Sequence, residues 1–294
     1  MADSGDYLQQ YQKNGYAVIP NFLSNDEISE MKAAMASLMD KMDPKQHSTH
    51  VFHLDDKTIK SRDDYFLTSN DKIRYFFEPD AVDDQGNLKV RKEHSVNKVG
   101  HALAWLEPAF KKVSFSQKVK DVCAKLGQKD PRLAQSMYIF KNPGIGQQVN
   151  THQDSSFLYI DPPSHLVGFW FALEDATVEN GCLYFIPGSQ TVPPQSRFIR
   201  NPNPSPGNLT MTRGDESNYP TSLDAFVAAP VAKGSLVLIH GNVIHRSEKN
   251  KSDKSRHAYT FHVVDFHNAT YSPENWLQQS EELPFPKINE VHVD

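Results

Sequence analysis

Apolar and polar positions change period part-way along this 294-residue chain, which predicts a helix-rich beginning and a strand-rich remainder. A short apolar stretch at 16–20 reads as a strand. Ser24 with Glu27 then makes a capping box. Ile28, Met31, Met35, Leu38 and Met42 follow at near-helical spacing, predicting an amphipathic helix that Pro44 ends. Phe115, Val119, Val122 and Leu126 predict a second helix, terminated at Gly127. Residues 45–98 are poorly periodic; within them the aromatics of 64–78 are expected to cover the core or wall a cleft. From residue 134 onward the apolar runs shorten and fill with aromatic and β-branched side chains. They predict strands at 134–141, 166–173, 182–187, 235–240 and 256–265. Residues 191–219 are rich in Pro, Asn and Ser and read as a long loop. No repeat or linker interrupts the pattern. Helices followed by strands predict one α+β domain over 1–294, mainly β with flanking helices. Helical support is expected over about 21–130 and a sheet sandwich or barrel over about 134–266.

Composition narrows the classes. A hydrophobic fraction of 38%, with 11% aromatic residues, sustains a substantial core. A net charge of -5 and the absence of a basic run argue against nucleic acid or an anionic membrane as partner. Cys123 and Cys182 are too few for a disulfide framework and are expected as reduced, buried thiols. No run approaches the ~20 apolar residues that span a bilayer. The start, MADSGDYLQQ, lacks the basic and apolar regions of a secretory signal, and the end, VHVD, is not a peroxisomal address. A cytoplasmic location is the expectation.

Candidate chemistry centres on residues 147–190. His152 and Asp154 stand at the entrance to the strand-rich region. Residues two apart on a strand share a face, so these two side chains converge while Gln153 faces away. His-x-Asp is a weak motif and occurs twice more, at His53/Asp55 and His292/Asp294, where it is read as chance. A third ligand is expected from His245, beyond the strand at 235–240. A hairpin closed around Asn250-Lys251 would set His245 opposite Arg256 and aim both into one cavity. Two histidines and a carboxylate with open positions form the facial triad of non-haem Fe(II) oxygenases. Arg256 offers a cationic fork for the far carboxylate of a 2-oxo acid. Such a site would couple decarboxylation of a 2-oxo acid to hydroxylation of a C–H bond. Two other readings use the same ligands: a non-catalytic sensor or partner-binding module, and a zinc or manganese hydrolase or isomerase. The intact ligands with Arg256 favour the oxygenase. His240 and His262 are assigned to packing or to hydrogen bonds around the site, and Phe157 and Tyr159 to a substrate cavity.

The order of HQDSSFLY, ENGCLYFIPGS and HGNVIHRSEKNKSDKSRHAYTFH resembles the phytanoyl-CoA dioxygenase family. The resemblance extends through NGYAVIPNFLS, DYFLTSNDKIRYFFE, NKVGHAL and QSMYIFK, nearly the whole chain. It implies a double-stranded β-helix (jelly roll) and dependence on Fe(II), 2-oxoglutarate and O2, with ascorbate as a candidate reductant. By that likeness His152, Asp154 and His245 match iron ligands. Arg256, helped by Ser247, matches the residue pairing with the distal carboxylate of 2-oxoglutarate. Lys98, Met137 and Trp170 match positions lining the cosubstrate pocket. Gln190 departs from the histidine usual in relatives, and an altered pocket edge is expected there. Asp154 stands where related halogenases carry a small residue, so hydroxylation is implied. The family name suggests an acyl-CoA substrate, with Arg197, Arg200 and Arg213 the candidates for its phosphates. A small or uncharged hydrophobic substrate is an equal expectation.

Overall fold

The computed structural model describes residues 6–47, 64–83, 85–205 and 208–293. Its strands in chain order are β1 (Tyr16–Ile19), β2 (Ile73–Phe77), β3 (Val96–His101), β4 (Pro131–Ile139), β5 (Val149–His152), β6 (Ile160–Asp161), β7 (Leu166–Ala172) and β8 (Leu183–Phe185). They continue as β9 (Ser196–Ser205), β10 (Asn208–Gly214), β11 (Val227–Ala229), β12 (Leu236–His240), β13 (His245–Ser247), β14 (Ala258–Asp265) and β15 (Thr270–Tyr271). Among the described residues a seven-stranded sheet runs β1-β12-β7-β14-β4-β3-β2, and a four-stranded sheet runs β11-β8-β13-β5. Every pairing within the two is antiparallel.

The larger sheet is covered on both faces, and strict alternation along its strands decides which side chain meets which layer. Val167, Phe169 and Phe171 of β7 and Tyr259, Phe261 and Val263 of β14 enter one cluster with helical residues such as Met31, Met35 and Phe110. Trp170 and Ala172 of β7, Val237 and Ile239 of β12 and Ala258 of β14 enter a second cluster with Leu183 and Phe185 of the small sheet. A strand buried on both sides must be apolar throughout, which is why β7 reads LVGFWFA.

The helix Asn25–Lys41 carries the expected capping box, Ser24 accepting from the Glu27 N–H while the Glu27 side chain accepts from the Ser24 N–H. Its buried face is Ile28, Met31, Met35 and Met39; Leu38 is only partly covered. The helix stops at Lys41, and Pro44 opens a short helical turn, Pro44–His47. The second amphipathic helix spans Gln117–Lys125 and is followed by Gly127 at φ 81°. Phe115 belongs instead to the end of the preceding helix, Pro108–Ser114. Both cysteines are buried and free.

Two expectations need correction. Residues 191–219 are not one long loop: β9 and β10 pair as a hairpin, anchored by buried Phe198 and Ile199. Proline and asparagine dominate the composition of the segment, but two adjacent apolar residues suffice to dock it. The strand expected at 16–20 is β1, but two further strands, β2 and β3, arise within the region expected to be helical support and extend the large sheet. Met31→Ala is expected to cost about 2–5 kcal/mol through the cavity left under the sheet. The urea midpoint of unfolding, with its slope unchanged, would check this.

Candidate metal centre and its pocket

The small sheet brings the two histidines together. β13 lies between β5 and β8, and His245 is the cross-strand partner of both His152 and Phe185. His152 ends β5, Gln153 remains extended, and Asp154 opens a 3-10 turn. The His-x-Asp pair therefore straddles a strand end rather than lying within a strand. Gln153 turns away as expected, its Nε2 donating to the carbonyls of Val192 and Asn242 and its Oε1 accepting from Tyr219.

Asp154 Oδ1 lies 3.6 Å from His152 Nε2 and 3.7 Å from His245 Nε2. One ligand atom from each of these residues falls within 4.8 Å of the other two. The tautomers follow from the far side of each ring. His152 Nδ1 faces the Asn150 carbonyl at 2.7 Å and His245 Nδ1 the Val243 carbonyl at 3.0 Å. A carbonyl only accepts, so each Nδ1 carries the proton and each Nε2 presents a lone pair toward Asp154. Burial, then neighbouring His152, pushes His245 down to about 4, which keeps this imidazole neutral. Burial opposes ionisation of Asp154, but the surrounding imidazoles outweigh it and hold the carboxyl well below its ordinary value. His262 Nε2 lies 3.2 Å from the second oxygen, Oδ2.

Gly168 of β7 explains how the carboxylate comes so close to the sheet. A Cβ there would stand 3.1 Å from Asp154 Oδ2 and 3.3 Å from the Ile239 Cβ.

Arg256 reaches the same cavity by a route other than the one expected. His245 and Arg256 do not face each other across a hairpin. β13 pairs within the small sheet, whereas β14 pairs with β4 and β7 of the large one. The chain between them crosses from one sheet to the other, because Asn250 is tied to the Lys141 and Lys254 carbonyls instead of closing a two-stranded turn. Arg256 is 1% exposed, its Cζ lies 5.2 Å from the Trp170 ring centre, and its Nε and Nη1 have no hydrogen-bond partner. Burial pushes its pKa down to about 10, so it stays charged at neutral pH. Ser247 Oγ is also buried and unpartnered.

One cavity of about 230 Å³ is lined by His152, Asp154, His245, Ser247 and Arg256, and also by Lys98, Met137 and Trp170. Strand register supplies the last three: Thr260 of β14 pairs with both Trp170 and Met137, and Lys98 of β3 pairs with Ile139. Lys141 is a lining residue that sequence reasoning missed. It is buried, and its Nζ donates to the carbonyls of Gln147 at 2.9 Å and Glu248 at 2.6 Å. Burial, then the Arg256 charge, holds its pKa well below the ordinary lysine value. No sequence signal separates it from a surface lysine at the end of a strand.

Other expectations fall away from the cavity. Gln190 donates to the Gln12 and Lys13 carbonyls at the end of the helix Asp6–Asn14 and is not among the residues lining this cavity. Phe157 lines the cavity, but Tyr159 lies under the Arg197 guanidinium, 4.0 Å from its ring centre. His240 accepts from the Asn242 N–H, in the packing role expected of it. Arg197 donates to Ser272 and Asn275, Arg200 to the Trp276 carbonyl, and Arg213 pairs with Glu274. His53, Asp55 and Asp294 lie outside the described residues.

A model of the family described as "Phytanoyl-CoA dioxygenase (PhyH)" matches residues 11–258. The chain belongs to the phytanoyl-CoA dioxygenase family. Phytanoyl-CoA dioxygenase domain-containing protein 1 of Danio rerio is 48% identical over 286 residues, covering 96% of this chain and 97% of that protein. Its namesake in Bos taurus is 47% identical over 289 residues, covering 97% and 98%. Among solved structures, the non-heme alpha ketoglutarate dependent carbocyclase SnoK superposes with a TM-score of 0.61 at 19% identity, covering 96% of each chain. The epimerase SnoN in complex with Fe3+, alpha ketoglutarate and nogalamycin RO gives 0.61 at 15%, covering 95% of this chain and 96% of its own. These likenesses establish the fold, the jelly roll (double-stranded β-helix) of 2-oxoglutarate-dependent oxygenases. Among the described residues no helix is long and apolar enough to cross a membrane.

In this family member Gly168→Ala should cost about 1–3 kcal/mol, because the Asp154 carboxylate and the Ile239 Cβ would have to give way inside a packed sheet; chemical denaturation reads it. Burial also pushes His240 down to about 4 from the usual 6.5. Between those values the unfolded chain binds a proton that the folded state refuses, so this contribution to stability is present above about 6.5 and lost as pH falls toward 4. Urea midpoints at pH 7.5 and 5 should show the loss, with a smaller drop in His240→Asn.

Proposed function

We propose that the protein is an Fe(II)- and 2-oxoglutarate-dependent dioxygenase, the chain serving as one oxygenase domain that hydroxylates a C–H bond of a small organic substrate. The observation that carries this reading is a coincidence of charges and lone pairs in one cavity. Two imidazole Nε2 atoms and a carboxylate oxygen converge beside a buried guanidinium that has no acceptor on Nε or Nη1. The donor set fits iron(II), since two neutral imidazoles and one carboxylate are the ligands of the facial triad.

His152, Asp154 and His245 hold the metal in this reading. Arg256 binds the distal carboxylate of 2-oxoglutarate with the help of Ser247, because a buried cation is strongly unfavourable until a carboxylate pairs with it. Lys98, Met137 and Trp170 wall the cosubstrate. When bound, iron(II) supplies the activation of O2 that converts 2-oxoglutarate to succinate and CO2, with ascorbate as a candidate reductant. His262 holds Asp154 Oδ2 and so leaves Oδ1 on the side of the two ligating imidazoles. The fold neighbour SnoN, crystallised with Fe3+ and alpha ketoglutarate, supports the same pair of cofactors here. The arginines once available for coenzyme A phosphates are engaged within the protein, which favours a small or uncharged hydrophobic substrate over an acyl-CoA.

Iron-loaded protein should release succinate and CO2 from 2-oxoglutarate, and His245→Ala should fall to the level of free iron. Arg256→Leu should raise the KM for 2-oxoglutarate by about ten-fold or more, in line with loss of a charged hydrogen-bond pair. Binding of 2-oxoglutarate with no succinate from wild type would replace the enzyme by a sensing module. Hydrolysis on zinc or manganese, without 2-oxoglutarate, would replace it by the third reading.

A further inference from the structure

The cavity is also lined by residues that the metal and cosubstrate do not account for. Phe66, His101, Gln135 and Trp276 line it together with the metal-centre residues. Phe66 stacks on Trp276 at 4.2 Å between ring centres, and Trp276 meets His101 edge-on at 5.2 Å. An aromatic cluster results, and Arg200 pins it by donating to the Trp276 carbonyl.

Three polar atoms of these lining residues have no hydrogen-bond partner: His101 Nε2, Gln135 Oε1 and Trp276 Nε1. Their side chains are 2%, 6% and 3% exposed. Most buried polar groups of native proteins are matched; these three share the lining of one cavity, and that coincidence points to a ligand.

Their donor or acceptor character can be assigned. Ser69 Oγ donates its single proton to the Phe66 carbonyl at 2.6 Å, so its contact with His101 Nδ1 at 2.7 Å requires Nδ1 to be the donor. Burial, then the charges of Lys98 and Arg74, keeps His101 neutral by holding its pKa well below the ordinary value. His101 Nε2 is therefore an acceptor. Gln135 is oriented through the metal centre. Its Nε2 is turned to His262 Nδ1 at 3.3 Å, the ring whose Nε2 faces Asp154 Oδ2, and Gln135 Oε1 is left as a second acceptor. Trp276 Nε1 can only donate.

We infer that this part of the cavity lining is the primary-substrate subsite, and that it recognises a neutral hydroxyl carried on a flat apolar body such as an aromatic ring. A hydroxyl both donates and accepts, so it can serve His101 or Gln135 and Trp276 at once. A carboxylate can accept from Trp276 but has no proton to give His101 or Gln135, and a cation would face the charges of Lys98 and Arg74. The total cavity, about 230 Å³, must also hold 2-oxoglutarate, so the entering part of the substrate is no larger than about one ring. The inference rests on the dioxygenase reading for its place in a reaction, but the binding chemistry stands on these residues alone.

Phenol, toluene and benzoate, matched in ring size, test it by ligand-observed NMR on the full chain loaded with zinc and 2-oxoglutarate. Phenol is expected to bind about three- to ten-fold more tightly than toluene, the value of one or two neutral hydrogen bonds, and more tightly than benzoate. Trp276→Phe and Gln135→Leu should each bring the phenol-to-toluene ratio toward one. If Gln135→Leu does not fold, Trp276→Phe alone decides. A wild-type ratio of one, tightest binding of benzoate, or a ratio unchanged in every folded variant overturns the inference. Succinate release by iron-loaded wild type is read in parallel. Its absence with the phenol preference intact would sink the oxygenase reading and spare the subsite; its presence with no preference would do the reverse.

Discussion

A carboxylate buried among imidazoles sets the terms for the rest of this protein. Removing a charge from water costs several kcal/mol unless partners surround it. Asp154 has His262 at 3.2 Å on one oxygen and His152 and His245 at 3.6 and 3.7 Å on the other. Each partner comes from a different strand, β14, β5 or β13, so the site forms only when both sheets do. Arg256 is buried in the same cavity with two nitrogens unmatched. Such a charge weakens the protein by itself, and the arrangement makes physical sense as preparation for an anionic ligand.

Two-sided burial of the large sheet converts that local requirement into a layout. Val167, Phe169 and Phe171 of β7 and Tyr259, Phe261 and Val263 of β14 pack under the helices. Gly168, Trp170, Ala172, Ala258, Thr260 and His262, at even positions, face the small sheet or the cavity between. A one-residue slip in register would exchange the two sets, placing imidazole under the helices and phenylalanine in the pocket. The helix-side aromatics, Phe169, Phe171, Tyr259 and Phe261, thus hold the chemistry in place without touching it.

The hydrogen-bond chain from Asp154 through His262 to Gln135 gives the cavity continuity. The same side chain that fixes the carboxylate also orients the amide of Gln135. The metal centre and the aromatic cluster are therefore parts of one surface, supported by the β4–β14 pairing of Gln135 with His262.

Local signals in the chain were enough for the capping box at Ser24, the apolar face from Ile28 to Met35, the long strands β7, β12 and β14, and the candidacy of His152, Asp154, His245 and Arg256. Each depends on spacing within a few residues, which periodicity and residue chemistry record directly. Family likeness added Lys98, Met137, Trp170 and Ser247, which no spacing distinguishes. Tertiary structure alone decided that His245 pairs with His152 while Arg256 arrives from the other sheet, that Lys141 is buried, and that Phe198 and Ile199 dock a proline-rich hairpin. Those outcomes depend on contacts between segments far apart in the chain, and long-range pairing leaves no periodic mark on either partner.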